Sequence, residues 1–324
     1  MRIVCYGLVM TVALFGCLLV GSTASAQTGP ENLVLSFENL APLDEDVQGH
    51  YEGWAIVDGN PVSTGKFNVN MDGEPVGLGG GDVIDEFDAG EDISGATDIK
   101  ISIEPPGDND EIPSGLIIVD GEVMDAEAMM KTSVPGLETL ETMTTGEFIL
   151  ATPSDNPDYP DNDNQGIWWL TMPGPEPGLM DLPDIGPNWK YEGWVVDVSN
   201  PDSPIPYTTG TFTMAEGFDS DEAGCNGGGP PFPGQDFVEF QCPPELVLDT
   251  GNFAAVISIE PEPDALEMPF QLKPLAGPIP EDAVGQNNAV NNQVLETFPT
   301  GTALLYEEPT ATETVTWGRI KTQF

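Results

Sequence analysis

Basic residues are scarce: eight Lys and Arg stand against 55 Asp and Glu in 324 residues, a net charge of −47. That imbalance excludes nucleic acid and other polyanions as partners, because their binding runs on cationic contacts. Histidine occurs once, at His50. No histidine cluster can hold zinc, and no Gly-x-Ser-x-Gly elbow occurs, so hydrolytic nucleophile chemistry has almost no parts. No glycine-rich phosphate loop opens a helix; the "GLGGGD" stretch at Gly77–Asp82 has no lysine and reads as a flexible turn. With 37 Gly and 32 Pro there is little room for long helices. After the N-terminal segment no run approaches the ~18 apolar residues of a membrane span.

The N-terminal segment reads as an export signal. Arg2 precedes an apolar run from Ile3 to Val20, and Ala24-Ser25-Ala26 offers the small side chains that signal peptidase accepts. Residues 1–26 are then the signal, cleaved between Ala26 and Gln27, and residues 27–31 a short N-terminal segment. Two alternatives stay open: an uncleaved anchor, or lipidation at Cys17 in the partial lipobox Leu14-Phe15-Gly16-Cys17. Beyond the signal, cysteine is limited to Cys225 and Cys242. An even pair in an exported chain reads as one disulfide, closing a loop of about 18 residues worth ~3 kcal/mol. No acidic residue precedes Gln27, so losing Arg2 takes the net charge from −47 to −48. Strong net charge often signals disorder. Here 39% of residues are apolar and patterned, which points to a folded protein with a carboxylate-rich surface for a salty, screening medium. A halophilic source is expected; a calcium-dependent protein is the rival.

Four motifs recur in the same order. Tyr51-Glu52-Gly53-Trp54 returns at Tyr191-Glu192-Gly193-Trp194, and Thr64-Gly65-Lys66-Phe67 as Thr209-Gly210-Thr211-Phe212. Ile101-Ser102-Ile103-Glu104-Pro105 returns as Ile257-Ser258-Ile259-Glu260-Pro261. Leu137-Glu138-Thr139 followed by Gly146 returns as Leu295-Glu296-Thr297 followed by Gly301. The chain is a tandem duplication. Copy one covers residues 32–163 and copy two 164–324, with "TPSDNPDYPDNDNQG" at the joint. Copy two carries insertions at Asp197–Tyr207 and between Phe212 and Ile257; the second holds both cysteines. In "DIKISIEP" apolar and polar residues alternate with period two, as in a half-buried strand. "YEGWAIV" carries apolar bulk on both faces, as in a central strand. "VDGNP" and "IVDGEV" read as turns, and "MDAEAMMK" and "DAVGQNNAVNNQVLET" as short helices. The expected class is all-β: two tandem β-sandwich domains of short antiparallel strands.

The order "YEGWAIVDGNPVSTGKF", then "ATDIKISIEPPGDNDEIPSGLIIVDGEV", resembles the extracytoplasmic domain of anti-sigma-K factors. That family has a Tyr-x-x-Trp strand, a Gly-x-Phe strand, an Ile- or Thr-Glu-Pro strand and a following Pro-Ser/Thr-Gly segment. Copy two keeps the order, except that Pro-Ser-Gly has become Met268-Pro269-Phe270. The resemblance covers most of the chain beyond the signal. An anti-sigma factor of this kind also has a cytoplasmic sigma-binding domain and a membrane helix, for which this sequence leaves no room. The resemblance therefore implies fold and location, not sigma-factor inhibition.

The aromatic pairs Tyr51/Trp54 and Tyr191/Trp194 could be sugar or peptide platforms; packing in a strand core is the plainer reading, with Gly53 and Gly193 admitting a close neighbour. Glu104 and Glu260 sit at equivalent places in different copies and read as structural, so no catalytic residue is assigned. No organic cofactor is expected. Calcium is the metal the sequence suits, at Asp155, Asp158, Asp161 and Asp163 in the joint or at Asp219 and Asp221 in the insertion. Solvated acidic loops compete with that reading. The expected function is an exported, non-catalytic protein acting in binding, sensing or envelope structure, its partner an extracytoplasmic protein or envelope component. A calcium-dependent adhesin or matrix module and a secreted carboxylate-based hydrolase are the alternatives.

Overall fold

A computed structural model describes residues 29–142, 145–153, 163–220, 229–238, 245–264 and 266–307. Cys225 and Cys242, the signal with its Ala26–Gln27 cleavage point, and Asp155, Asp158, Asp161 and Asp221 lie outside the described residues.

The chain is nearly all β. Copy one supplies β1 (Asn32–Glu38), β2 (His50–Val57), β3 (Asn60–Val69), β4 (Pro75–Val76), β5 (Phe87–Asp88), β6 (Ala96–Glu104), β7 (Ile117–Met124) and β8 (Glu127–Thr132). The short helix α1 (Leu137–Thr142) and β9 (Thr145–Leu150) follow. Copy two supplies β10 (Gly166–Trp168), β11 (Leu170–Thr171), β12 (Glu176–Pro177), β13 (Trp189–Asp197), β14 (Ile205–Phe212), β15 (Gly234–Asp236), β16 (Phe253–Pro261), β17 (Leu275–Ile279) and β18 (Asn288–Asn292). It ends with α2 (Val294–Thr297) and β19 (Thr300–Tyr306). Two large antiparallel sheets result. The first runs 4-3-2-6-7-8-19-1-5 and the second 14-13-16-17-18-9-10-15, with 11-12 a small ribbon.

Apart from β4 at the edge of the nine-stranded first sheet, the two orders match position for position, and the matching exposes an exchange. β9 closes copy one in sequence, yet it lies in the second sheet, between β18 and β10. β19 closes copy two, yet it lies in the first sheet, between β8 and β1. Each copy thus hands its last strand to the other. Both strands begin Thr-Gly, and a Cβ at either glycine would collide with its new sheet: Gly146 with Leu179 and Leu275, Gly301 with Phe37 and the Ser36 carbonyl. The crossing segments meet where Asn292 Nδ2 donates to the Leu140 carbonyl at 2.7 Å. Further bonds tie the copies: Asn188 Nδ2 to the Gly115 carbonyl at 2.7 Å and Gln271 Nε2 to Tyr51 Oη at 3.0 Å. One continuous apolar core runs through both.

Each sheet curls until its ends approach. In the first, Phe87 of β5 packs edge-on against Phe67 of β3 at 5.3 Å. In the second, Tyr207 of β14 meets Phe237, just past β15, at 6.3 Å. The bodies are sandwich- or barrel-like, as the short alternating strands require.

The hairpin at Asp58-Gly59 forms as expected, both residues in the left-handed region that a two-residue turn requires. The turn expected at Asp120-Gly121 does not form. β7 runs straight through it, because Gly121 lies where a Cβ would sit 2.5 Å from the Met129 carbonyl. The turn lies later, at Asp125-Ala126, again with positive φ at both residues. "MDAEAMMK" is therefore a hairpin rather than a helix. Ala128, Met130 and Thr132 are buried in alternation, a period of two that outweighs the helix propensity of Ala and Glu. Of "DAVGQNNAVNNQVLET", only Val294–Thr297 is helical.

Candidate functional site

The two YEGW strands are interior to their sheets, and residues on both of their faces are buried. Tyr51 and Tyr191 point into the core, and each hydroxyl reaches a loop carbonyl, Ala41 and Pro183 respectively, at 2.8 Å. Trp54 and Trp194 occupy the opposite face and are 1% exposed. Their indole nitrogens donate to Ser102 Oγ at 2.8 Å and Ser258 Oγ at 2.7 Å. Each serine in turn donates to the carboxylate two residues on, Glu104 or Glu260. That carboxylate also accepts from a backbone amide, Ser114 N at 2.9 Å or Phe270 N at 2.8 Å. The first glutamate of each motif accepts from a hydroxyl on the neighbouring strand, Ser63 for Glu52 and Thr208 for Glu192. Buried polar groups are thus bonded in a chain, and the chain is built twice.

Glu104 and Glu260 are therefore not a pair facing each other. Each belongs to a cluster within its own copy. In copy one the counterparts are Glu52, Glu104 and Asp108, and Lys66 bridges the first and the last. Lys66 Nζ lies 3.6 Å from Glu52 Oε2 and 3.2 Å from Asp108 Oδ2. In copy two the register partner of Glu192 is Thr211, where Glu52 faces Lys66. Among the described residues no amine bridges there. Glu192, Glu260 and Asp264 each offer an oxygen within 4.8 Å of the others, and among the described residues they are the one such group of three potential metal ligands.

Electrostatics follow from that geometry. Burial holds the Glu192 carboxyl up at about 8; the Thr208 hydrogen bond opposes this, while Glu260 and Asp264 raise it further. Burial likewise holds Glu260 at about 7, against its bonds from Ser258 and the Phe270 amide, with Asp264 raising it and Lys273 lowering it. Burial lowers Lys273, while Glu260 acts to raise it. Lys190 is engaged elsewhere, 2.6 Å from Glu262. In copy one, burial and then Lys66 lower His50.

A cavity of about 460 Å³ opens beside the copy-two cluster. Glu192, Asp264, Thr208 and Tyr207 line one part; Gln235 and Phe237, from the copy-two insertion, line another. Two buried oxygens have no hydrogen-bond partner there, Glu192 Oε2 and Gln235 Oε1. Of the acidic residues expected to bind calcium, two are described. Asp163 Oδ1 accepts from the Thr152 amide at 3.5 Å. Asp219 Oδ2 accepts from the Gly234 amide at 2.8 Å, which helps seat β15. Sequence reasoning singled out Glu260 but missed Glu192, Asp264 and Gln235 as its companions. The signal was there in the exchange of Lys66 for Thr211 between otherwise matching motifs.

No family model matches the chain, and no curated protein does. Among solved structures a match is the tandem pair of C2 domains of Extended-Synaptotagmin 2. It is 10% identical, spans 93% of this chain and 100% of that one, and has a TM-score of 0.14, which carries no argument.

Proposed function

We propose that the protein is an exported, non-catalytic module of the kind the anti-sigma-K resemblance implies, working outside the cytoplasm as a binding or envelope-structural element in a saline medium. Its partner is then an extracytoplasmic protein or envelope component. The observation that supports this best is the reciprocal strand exchange. It ties two copies into one body at both ends, an arrangement suited to holding a fixed shape rather than opening around a substrate. The repeated aromatic and carboxylate residues serve the same end, because they are buried and bonded to one another.

A hydrolase needs two carboxylates about 5–10 Å apart, flanking a bound substrate. The copy-two oxygens lie within 4.8 Å of one another, and Glu192 and Glu260 are buried. Both carboxylates are also held by hydroxyl hydrogen bonds, from Thr208 and Ser258, and that burial and bonding argue for a structural charge cluster rather than for a catalytic pair. Expression of the tagged full chain in a halophilic host, with cell fractionation and N-terminal sequencing, tests the reading. The tag should appear outside the cytoplasm on a chain beginning at Gln27, and a panel of chromogenic glycosides and esters should show no turnover. Cytoplasmic retention, or turnover abolished by Glu260→Gln, would contradict it.

A further inference from the structure

Copy one and copy two solve the same electrostatic problem in different ways. Both gather two buried glutamates and an aspartate at the end of the Glu-Pro strand, Asp108 in one and Asp264 in the other. In copy one an amine sits between the glutamate and the aspartate. In copy two the residue at that register position is Thr211, whose side chain has neither the charge nor the reach to replace it. The nearby lysines do not take over. Lys190 pairs with Glu262, and Lys273, although it acts on Glu260, forms no ion pair within 4 Å among the described residues.

We propose that copy two binds a divalent cation of calcium's class at Glu192, Glu260 and Asp264, with Gln235 Oε1 as a further oxygen ligand, in the position Lys66 Nζ occupies in copy one. Several observations converge. The three carboxylate oxygens lie within 4.8 Å of one another, and oxygens about 2.3–2.6 Å from one calcium ion would span just such distances. Glu192 is 5% exposed and keeps Oε2 unpartnered, while Oε1 is held by Thr208. Gln235 is 8% exposed, lines the same cavity and has an unpartnered Oε1. It comes from a different segment, β15, which pairs with β10 as β5 pairs with β1, so its orphaned oxygen is independent of the acid cluster. Asp264 is exposed and gives the ion its entry from solvent. All four groups are hard oxygen donors, which suit calcium; magnesium demands closer, near-octahedral oxygens and keeps several waters. This site does not depend on the protein being exported.

β15 therefore has a role. It pairs with β10, and this pairing delivers Gln235 to the cavity wall. The cation would draw β13, β15 and β16 together at one point, as Lys66 draws β2 to the segment after β6.

Calcium titration by isothermal calorimetry tests the site. The full chain should be used in about 1 M KCl, where a screening length of about 3 Å suppresses diffuse binding to the acidic surface. One saturable calcium site per chain is expected. Thr211→Lys, which installs the copy-one device, should weaken it at least ~10-fold, because its ammonium would neutralise the carboxylates that the cation needs. Asp264→Asn alters an exposed residue, should leave the fold intact, and should weaken binding to a similar extent. Absence of saturable binding in the unaltered chain, or affinity kept within about twofold in Asp264→Asn, overturns the proposal.

Discussion

At the scale of single residues, the two copies are each other's control. Gly53 and Gly193 occupy the same position, and a Cβ would lie 2.3 Å from Thr64 Oγ1 in one and 2.2 Å from Thr209 Oγ1 in the other. The neighbours differ. Thr64 Oγ1 has no hydrogen-bond partner and can move. Thr209 Oγ1 is held by Trp169 Nε1 at 3.2 Å, and that nitrogen lies 2.5 Å from the Gly193 Cβ position. Gly193→Ala should therefore cost about 2–3 kcal/mol and Gly53→Ala about 1 kcal/mol, measured by urea unfolding in high salt. Equal losses would show that the tryptophan does not confine the threonine. Trp54→Phe and Trp194→Phe should each cost about 1–3 kcal/mol, because each leaves a buried serine oxygen without its donor.

The raised glutamates predict a pH effect, and its sign is opposite to ordinary acid denaturation. Glu192 is held up at about 8 and Glu260 at about 7, from an unfolded value of 4.5. Between those values the folded state binds more protons than the unfolded state, so stability falls as pH rises. In EDTA, the melting temperature should drop between pH 5 and pH 8. The drop should shrink in Glu192→Gln, which is neutral throughout. A melting temperature that rises over this window in EDTA would contradict the assignment. Burial is the main cause of both shifts; the Lys66-to-Thr211 difference that leaves this cluster without a register-partner amine was legible in the aligned repeats. Asp264 was legible in the same alignment, four residues after Glu260 as Asp108 is four after Glu104; Gln235 was not, because β15 and its counterpart β5 share no sequence motif.

At the scale of elements, the informative ones are those that could be read in two ways. "DIKISIEP" was legible as a strand from its period of two, but not as one buried on both faces: Ser102 and Glu104 are as buried as Ile101 and Ile103. "IVDGEV" misled because its Asp-Gly pair is a turn signal, whereas Gly121 is needed for close approach to the Met129 backbone. The strand exchange was not legible at all. β9 and β19 have similar patterns, buried at alternate residues, and either sheet offers the same kind of slot. Nothing local to a strand says which of two like slots it fills. A consequence is testable by deletion. Truncation after Phe298 removes residues of copy two, yet the backbone it exposes belongs to copy one, at β1 and β8. Hydrogen exchange should show lost protection at 32–38 and 127–132. Loss confined to 253–292 would mean that β19 does not lie where the pairing places it.

At the scale of the whole molecule, two features govern behaviour: exchanged ends and an excess of carboxylates. The exchange couples the two sheets, because neither can lose its borrowed strand without disturbing the other. The charge works against the compact state in dilute buffer through self-repulsion, and salt relieves it. Five lysines are described, and three of them, Lys66, Lys100 and Lys190, are already paired with carboxylates, so solution cations must do most of the neutralising. Differential scanning calorimetry of the full chain from about 0.1 M to about 3 M KCl, where the screening length falls from about 10 Å to under 3 Å, tests both together. The account predicts one cooperative transition whose midpoint climbs with salt. Two separate transitions, or a midpoint that stays flat across the series, would contradict it.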